Sequence, residues 1–205
     1  DIGSFIMEAN GVRWAMDFGR QDYRSLEAKK VNIWEFGQDS QRWQVFRYNN
    51  LAHNTLTVNS QLQQVKGHAP LLSFSQDAKL KSVTMDLSSI YPDLKELKRE
   101  AGIVDDAYVT IRDEYVGGQD NSLIRWSMLT AADVNLAGRK KAILTKDGKK
   151  LVLKVKGVRN VRLKRWTTKS ANSFDADNTG TTLLGFETKV KANAKGMFSV
   201  DLLPK

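Results

Sequence analysis

The chain has 205 residues, 41% of them apolar, with 32 Lys and Arg against 23 Asp and Glu for a formal charge of +9. It contains no cysteine and only two histidines, which excludes disulfides, thiolate metal sites and cysteine nucleophiles and leaves few candidates for metal ligation or acid–base work. No apolar run approaches the ~18 residues that a membrane-spanning helix needs, so no membrane partner is expected, and residues 1–5 lack the basic start and apolar stretch of a leader.

Residues 1–5 read instead as the interior of a strand. Two strand-like runs in residues 3–18 flank Asn10-Gly11, a pair that supplies the positive φ angles of a tight hairpin turn. In the second run, alternation puts Val12, Trp14 and Met16 on a core face and Arg13, Ala15 and Asp17 on the other. Residues 19–40 lack helical periodicity and read as a long excursion over the surface. Strands are expected to resume at 41–48 and 54–58, the latter with Leu56 and Val58 on one face and His53, Thr55 and Thr57 on the other.

Further strands are expected at 71–74, 82–87, 108–112 and 123–129. Residues 93–104 stay ambiguous: Leu94, Leu97 and Ala101 fit a helical spacing, while Ile103 and Val104 favour a strand. Asp147-Gly148 marks a second hairpin, joining 141–145 to 150–156, where Leu151, Leu153 and Val155 alternate with basic residues. Strands at 159–167, 181–190 and 197–203 complete the set, and the polar, glycine-bearing stretch 169–180 reads as a loop. Many short strands joined by turn residues indicate an all-β fold, an antiparallel β-sandwich formed as a single domain over 1–205.

The charge excess is local. Residues 139–166 hold twelve Lys or Arg and one acid, Asp147. Such a stretch attracts polyanions, but alternating lysines along a hairpin also describe a solvated outer face that discourages edge pairing. Nucleic acid is the disfavoured polyanion, because the aromatic residues are not interleaved with the basic ones as stacking platforms. Of the two histidines, His53 starts a strand, and a lone histidine there is more often structural than a ligand. His68, followed by Ala69-Pro70, reads as a surface loop residue.

Three segments carry a family resemblance: Asp-Ile-Gly-Ser-Phe-Ile at 1–6, Val-Arg-Trp-Ala-Met-Asp-Phe-Gly at 12–19 and Ala-His-Asn-Thr-Leu at 52–56, with Gln61 and Gln64 beyond them. Together they resemble the C-terminal β-domain of heparinase II/III-like polysaccharide lyases. The resemblance implies a piece of a larger protein in which an N-terminal (α/α) toroid precedes this sandwich, with the cleft between them. It implies cleavage of an acidic, uronic-acid-containing polysaccharide by β-elimination in a periplasmic or secreted bacterial enzyme, with the catalytic groups mostly in the helical part and the isolated domain inactive.

The resemblance also implies a zinc site in the intact parent, with Asp17 and His53 as two ligands and a further histidine lying before Asp1. Two protein ligands bind zinc poorly compared with three or four, so the fragment alone is expected to bind it weakly. Tyr23, Tyr48, Arg13 and Arg47 are candidate substrate contacts; for the tyrosines, packing in a sheet surface is an equal alternative. The rival function is a non-catalytic carbohydrate-binding module, which would bind an oligosaccharide on its own.

Overall fold

The computed structural model describes residues 1–170 and 172–205. A short hairpin opens it, β1 (Met7–Ala9) and β2 (Val12–Ala15), turning at Asn10 and Gly11 with φ of 55° and 75°. The other strands are β3 (Leu56–Val58), β4 (Leu71–Gln76), β5 (Leu80–Asp86), β6 (Leu94–Val104), β7 (Tyr108–Gly117), β8 (Ser122–Thr130) and β9 (Asp133–Leu136). After them come β10 (Lys141–Lys146), β11 (Lys149–Lys156), β12 (Lys164–Trp166), β13 (Thr182–Val190) and β14 (Lys195–Pro204).

Eight strands form one sheet in the order β4-β5-β6-β7-β14-β11-β10-β9, and four form the other, β12-β13-β8-β3. Every pairing is antiparallel. The core lies between the two sheets. Trp126 of β8 stacks on Phe186 of β13, and Phe186 meets Phe198 of β14 edge-on at 5.1 Å, so an aromatic column joins the small sheet to the large one. Leu144, Leu151, Leu153 and Leu202 are fully buried around it.

The second hairpin forms where expected, with Asp147 and Gly148 both at positive φ. Residues 93–104 are strand β6. A bulge between Leu94 and Glu96 inserts one residue, so Leu94 and Leu97 both face the core three positions apart. That spacing is what imitated a helix. A similar irregularity beside Met7 sets it opposite Ala15, and Ala15 is buried rather than on the polar face.

Two expectations fail between the hairpin and β3. The excursion 19–40 contains a helix, α1 (Tyr23–Ala28), capped by the Asp22 carboxylate accepting from the Ser25 amide at 2.8 Å. Residues 41–48 form no strand. They make two 3₁₀ turns, Gln41–Gln44 and Phe46–Tyr48, followed by a third at Asn50–Ala52. Their apolar side chains close a second, small core of Leu26, Val31, Ile33 and Val45 beneath Tyr23, Tyr48 and Phe174. At 159–167 only β12 is strand, and β9 is a short edge strand outside the sequence reading.

Candidate functional site

The His-Asn-Thr segment enters β3, the edge of the small sheet, and β3 pairs with β8 from Leu56 opposite Trp126. On the same strand, the chain leaving β2 donates from the Met16 amide to Leu129 at 3.0 Å. Asp17 and His53 therefore leave the flank of β8 together. The imidazole Nδ1 lies 2.7 Å from the Asp17 carboxylate and Nε2 lies 3.2 Å from the Arg47 carbonyl. Neither residue is within a strand, and they meet where two strand ends run out.

The other Asp17 oxygen accepts from the Gly19 amide at 2.7 Å. The hydrogen bond with His53 does most to hold the Asp17 carboxyl below the usual carboxylate range, and the Gly19 amide adds to it against the opposing effect of burial. His53 is 4% exposed, while the Asp17 side chain keeps 28% of its surface open. The carboxylate is thus the accessible half of the pair.

The next two residues of the segment are structural. Asn54 is fully buried; its amide donates to the carbonyls of Phe5 at 2.6 Å and Met16 at 2.8 Å, and its oxygen accepts from the Leu129 amide at 2.6 Å. One side chain thus replaces a missing stretch of ladder between three segments. Thr55 donates to the Ile2 carbonyl at 2.9 Å. Gln63 bonds the Ile2 main chain from both sides, its oxygen accepting from the amide and its nitrogen donating to the carbonyl. Residues 1–5 are held by side chains rather than by a sheet, contrary to their reading as the interior of a strand.

Arg99 of β6 sits beneath this knot. It is 1% exposed, makes a bidentate pair with the fully buried Asp113 at 2.7 and 2.9 Å, and donates to the carbonyls of Gly3 at 2.7 Å and Asn54 at 3.2 Å. A buried guanidinium satisfied in this way fixes geometry more than it adds stability.

The Asp17–His53 pair opens onto a cleft of about 490 Å³ whose walls include Arg20, Tyr23, Arg42, Arg47, Tyr48 and Gln64. Arg47 is committed: it donates to Asn178 at 2.9 Å and to the Asp177 carbonyl at 3.0 Å, tying the cleft to the loop at 169–180. Tyr48 donates to the Gln21 carbonyl at 2.6 Å, and burial pushes its pKa up. Tyr23 packs edge-on against Tyr48 and Trp34, with Arg20 over its ring at 5.7 Å. Arg13 lies away from the cleft on the β1–β2 hairpin, paired with Glu8 at 2.5 Å. His68 is a loop residue whose main chain exchanges hydrogen bonds with Ser89.

Sequence reading missed Arg42. Its guanidinium lies within 5.7 Å of the ring centres of Tyr23, Phe36, Trp43 and Tyr48 and donates to the Ile33 carbonyl at 2.8 Å. The aromatic residues around it were visible, but their convergence depends on the 3₁₀ turns. Arg20 was missed as well, and it is the exposed cation of the cleft wall.

As a metal site the pair is incomplete. A carboxylate and an imidazole are the right donors for zinc, yet among the described residues no group of three or more His, Cys, Asp or Glu gathers. At 2.7 Å the two donors touch through a hydrogen bond, whereas two atoms sharing a zinc at about 2.0 Å each would stand about 3.3 Å apart in tetrahedral geometry.

Residues 1–192 match the family described as heparinase II/III-like, C-terminal. The chain belongs to that family. Solved structures agree on the fold: a heparinase III crystal structure superposes with a TM-score of 0.71 at 18% identity, over 98% of this chain and 29% of its own. The heparan sulfate lyase HepC from Pedobacter heparinus gives 0.70 at 16% identity, over 100% of this chain and 30% of its own. The heparinase III-BT4657 gene product gives 0.65 at 14%, over 99% and 30%. The chain therefore spans about 30% of the length of these structures. Comparison with curated proteins gives no match. The C-terminal β-sandwich expected from the resemblance is the fold observed.

Proposed function

We propose that this chain forms one wall of the cleft of a lyase that cleaves acidic, uronic-acid-containing polysaccharide by β-elimination. The observation that carries the reading is the Asp17–His53 pair at 2.7 Å on the wall of a cleft that also holds Arg20 and Tyr23. Family membership supports the reaction class; the cleft supplies Arg20 as a cationic group for a uronate carboxylate, with Tyr23 beside it. Arg20 is exposed, and the half-buried Tyr23 accepts from Arg42 at 3.4 Å, whereas Arg47 and Tyr48 are consumed as donors by internal hydrogen bonds.

β-Elimination needs the carboxylate neutralised, the C5 proton removed and a proton returned to the departing O4. In this reading the chain binds and orients, and the rest of the full-length protein, an N-terminal helical toroid, completes the catalytic set. This chain alone is inactive. Asp17 and His53 are two zinc ligands, with the others coming from the rest of the protein. Zinc would hold the cleft wall in shape, and Arg47, whose carbonyl faces His53, would be held with it. The reading puts the protein in the periplasm or outside the cell, where such a polysaccharide would be met.

The test is the full-length protein with heparan sulfate and other uronate polysaccharides, following the ultraviolet absorbance of the unsaturated product and the zinc content by elemental analysis. The reading expects R20A and Y23F to raise KM, and D17A and H53A to lose zinc. No cleavage of any uronate polysaccharide by the unaltered protein would overturn it, and full zinc content in H53A would overturn the ligand assignment.

A further inference from the structure

The strands of the basic stretch that belong to the large sheet, β10 and β11, turn lysines to its outer face, whereas Lys164–Trp166 are β12 of the small sheet. Lys141 of β10 and Lys154 of β11 are direct cross-strand partners, and both are exposed. Opposed residues of an antiparallel pair share a face with Cβ atoms about 5 Å apart, and like charges so placed destabilise the sheet. The next residue along the row is Asp201 of β14, the cross-strand partner of Lys154. Its carboxylate is already taken, by Lys156 at 2.6 Å and by the Thr110 hydroxyl at 2.9 Å. The acids flanking β10, Asp133 opposite Thr145 and Asp147 in the hairpin turn, lie at the far end of the strand from Lys141.

The segments at the end of this row add charge without compensation. Arg139 precedes β10, while Arg159 and Arg162 follow β11, and the two segments touch through the Leu163 amide donating to the Arg139 carbonyl at 2.8 Å. All three arginines are exposed. Among the described residues, none of Arg139, Lys141, Lys154, Arg159 and Arg162 is in an ion pair. Two exposed lysines set opposite each other, where one glutamate would stabilise the pair, leave charge that an anionic ligand lying across them would neutralise.

We infer that this face is a second polyanion-binding surface, separate from the cleft, which grips the acidic polysaccharide chain at a distance from the cleaved bond. The choice of polysaccharide rests on the lyase reading. The composition of the face favours it over nucleic acid, since β10 and β11 carry no aromatic residue and the one aromatic ring of the basic stretch, Trp166, belongs to β12 of the small sheet, so these two strands bring no stacking platform. Arg99, beneath the cleft wall, shares the inner face of the large sheet with Phe198, whereas Lys141 and Lys154 are on its outer face, so the two surfaces lie on opposite sides of the sheet as well as four strand spacings, about 19 Å, apart along it, and a chain that touches both passes round the sheet. A polysaccharide of many units reaches both surfaces, and a short oligosaccharide reaches only one.

The test uses full-length protein carrying K141E/K154E, with K141Q/K154Q as the milder variant. Binding of long heparan sulfate chains is measured as a function of salt under conditions without turnover, and cleavage of long chains and of a tetrasaccharide is measured separately. The inference expects affinity for long chains to fall roughly tenfold or more, with a log K against log salt slope shallower by about one for each lysine–anion pair removed, as counterion release requires. Tetrasaccharide kinetics should be unchanged. The single variant K141E should have an unchanged or higher Tm, because it replaces a repulsive pair with an attractive one, so weaker binding there is not unfolding.

Unchanged long-chain affinity in K141E/K154E and K141Q/K154Q would overturn the inference. Tighter binding to DNA than to heparan sulfate, through the same two lysines, would overturn the polysaccharide assignment in favour of nucleic acid. Binding of heparan sulfate that depends on the pair, without cleavage of any substrate, would support this face while sinking the lyase reading.

Discussion

Replacing Asn54 with alanine removes a side chain that is fully buried and makes three hydrogen bonds, to Phe5, Met16 and Leu129. A net contribution of about 1 kcal/mol per bond gives roughly 3 kcal/mol. The Leu129 amide is left in the interior with no acceptor from Asn54, and an orphaned buried donor costs a further ~1–3 kcal/mol. The expected loss is therefore about 4–6 kcal/mol, a large share of the ~5–15 kcal/mol that holds a typical domain together. Asn54→Asp should be worse, since it turns carboxylate oxygens toward the Phe5 and Met16 carbonyls. Urea unfolding of the full-length protein, followed by tryptophan fluorescence with Trp14 and Trp126 both in the core, reads the change. A loss below about 1 kcal/mol in Asn54→Ala would refute the claim that this side chain substitutes for a strand, as would an Asn54→Asp variant as stable as the parent.

The remaining predictions concern charge and the small core. Because the folded Asp17 carboxyl titrates below its unfolded value of ~3.9, it contributes stability that is fully present above that pH and lost as pH falls through the folded pKa. Asp17→Asn should flatten this part of the acid limb in a pH series of urea midpoints, and an unchanged acid limb would count against the His53 bond. Arg99→Leu leaves Asp113 buried and unpaired and should cost about 3–5 kcal/mol, whereas Arg99→Leu with Asp113→Leu should recover much of it, as measured in the same unfolding assay. Arg42→Ala should raise hydrogen exchange across residues 23–48 while leaving β6 and β14 protected, and Arg42→Lys should rescue little, because an ammonium cannot stack flat among four rings.

What the sequence made legible was set by local chemistry. Asn10-Gly11 and Asp147-Gly148 dictate their turns whatever surrounds them, and the alternation of buried Leu151, Leu153 and Val155 with Lys150, Val152, Lys154 and Lys156 follows from one buried and one wet face. Residues 41–48 misled because Trp43, Val45, Phe46 and Tyr48 have strand propensity, yet tertiary packing around Arg42 and the small core overrides it. The bulge in β6 could not be read, since it depends on β7 pairing alongside. In the candidate site, the nearness of Asp17 and His53 was legible only through the family resemblance. The roles of Arg20 and Arg42 were not, because neither sits in a segment that carries the resemblance and both depend on how 19–48 folds.

The division of labour within His53-Asn54-Thr55 constrains how this site can vary. His53 faces the cleft, Asn54 binds three main-chain segments, and Thr55 holds Ile2. Arg99 reaches the carbonyls of Gly3 and Asn54 from the large sheet, so the position of the imidazole is set through the same hydrogen bonds that fasten residues 1–6. A substitution that loosens Asn54 must therefore move the Asp17–His53 pair as well as lower stability. A substitution of His53 itself removes one hydrogen bond to Asp17 and one to the Arg47 carbonyl without touching the knot. Loss of function at His53 can then arise with the sandwich intact, whereas loss at Asn54 comes with destabilisation, and that separation distinguishes a chemical role from a mechanical one in adjacent residues.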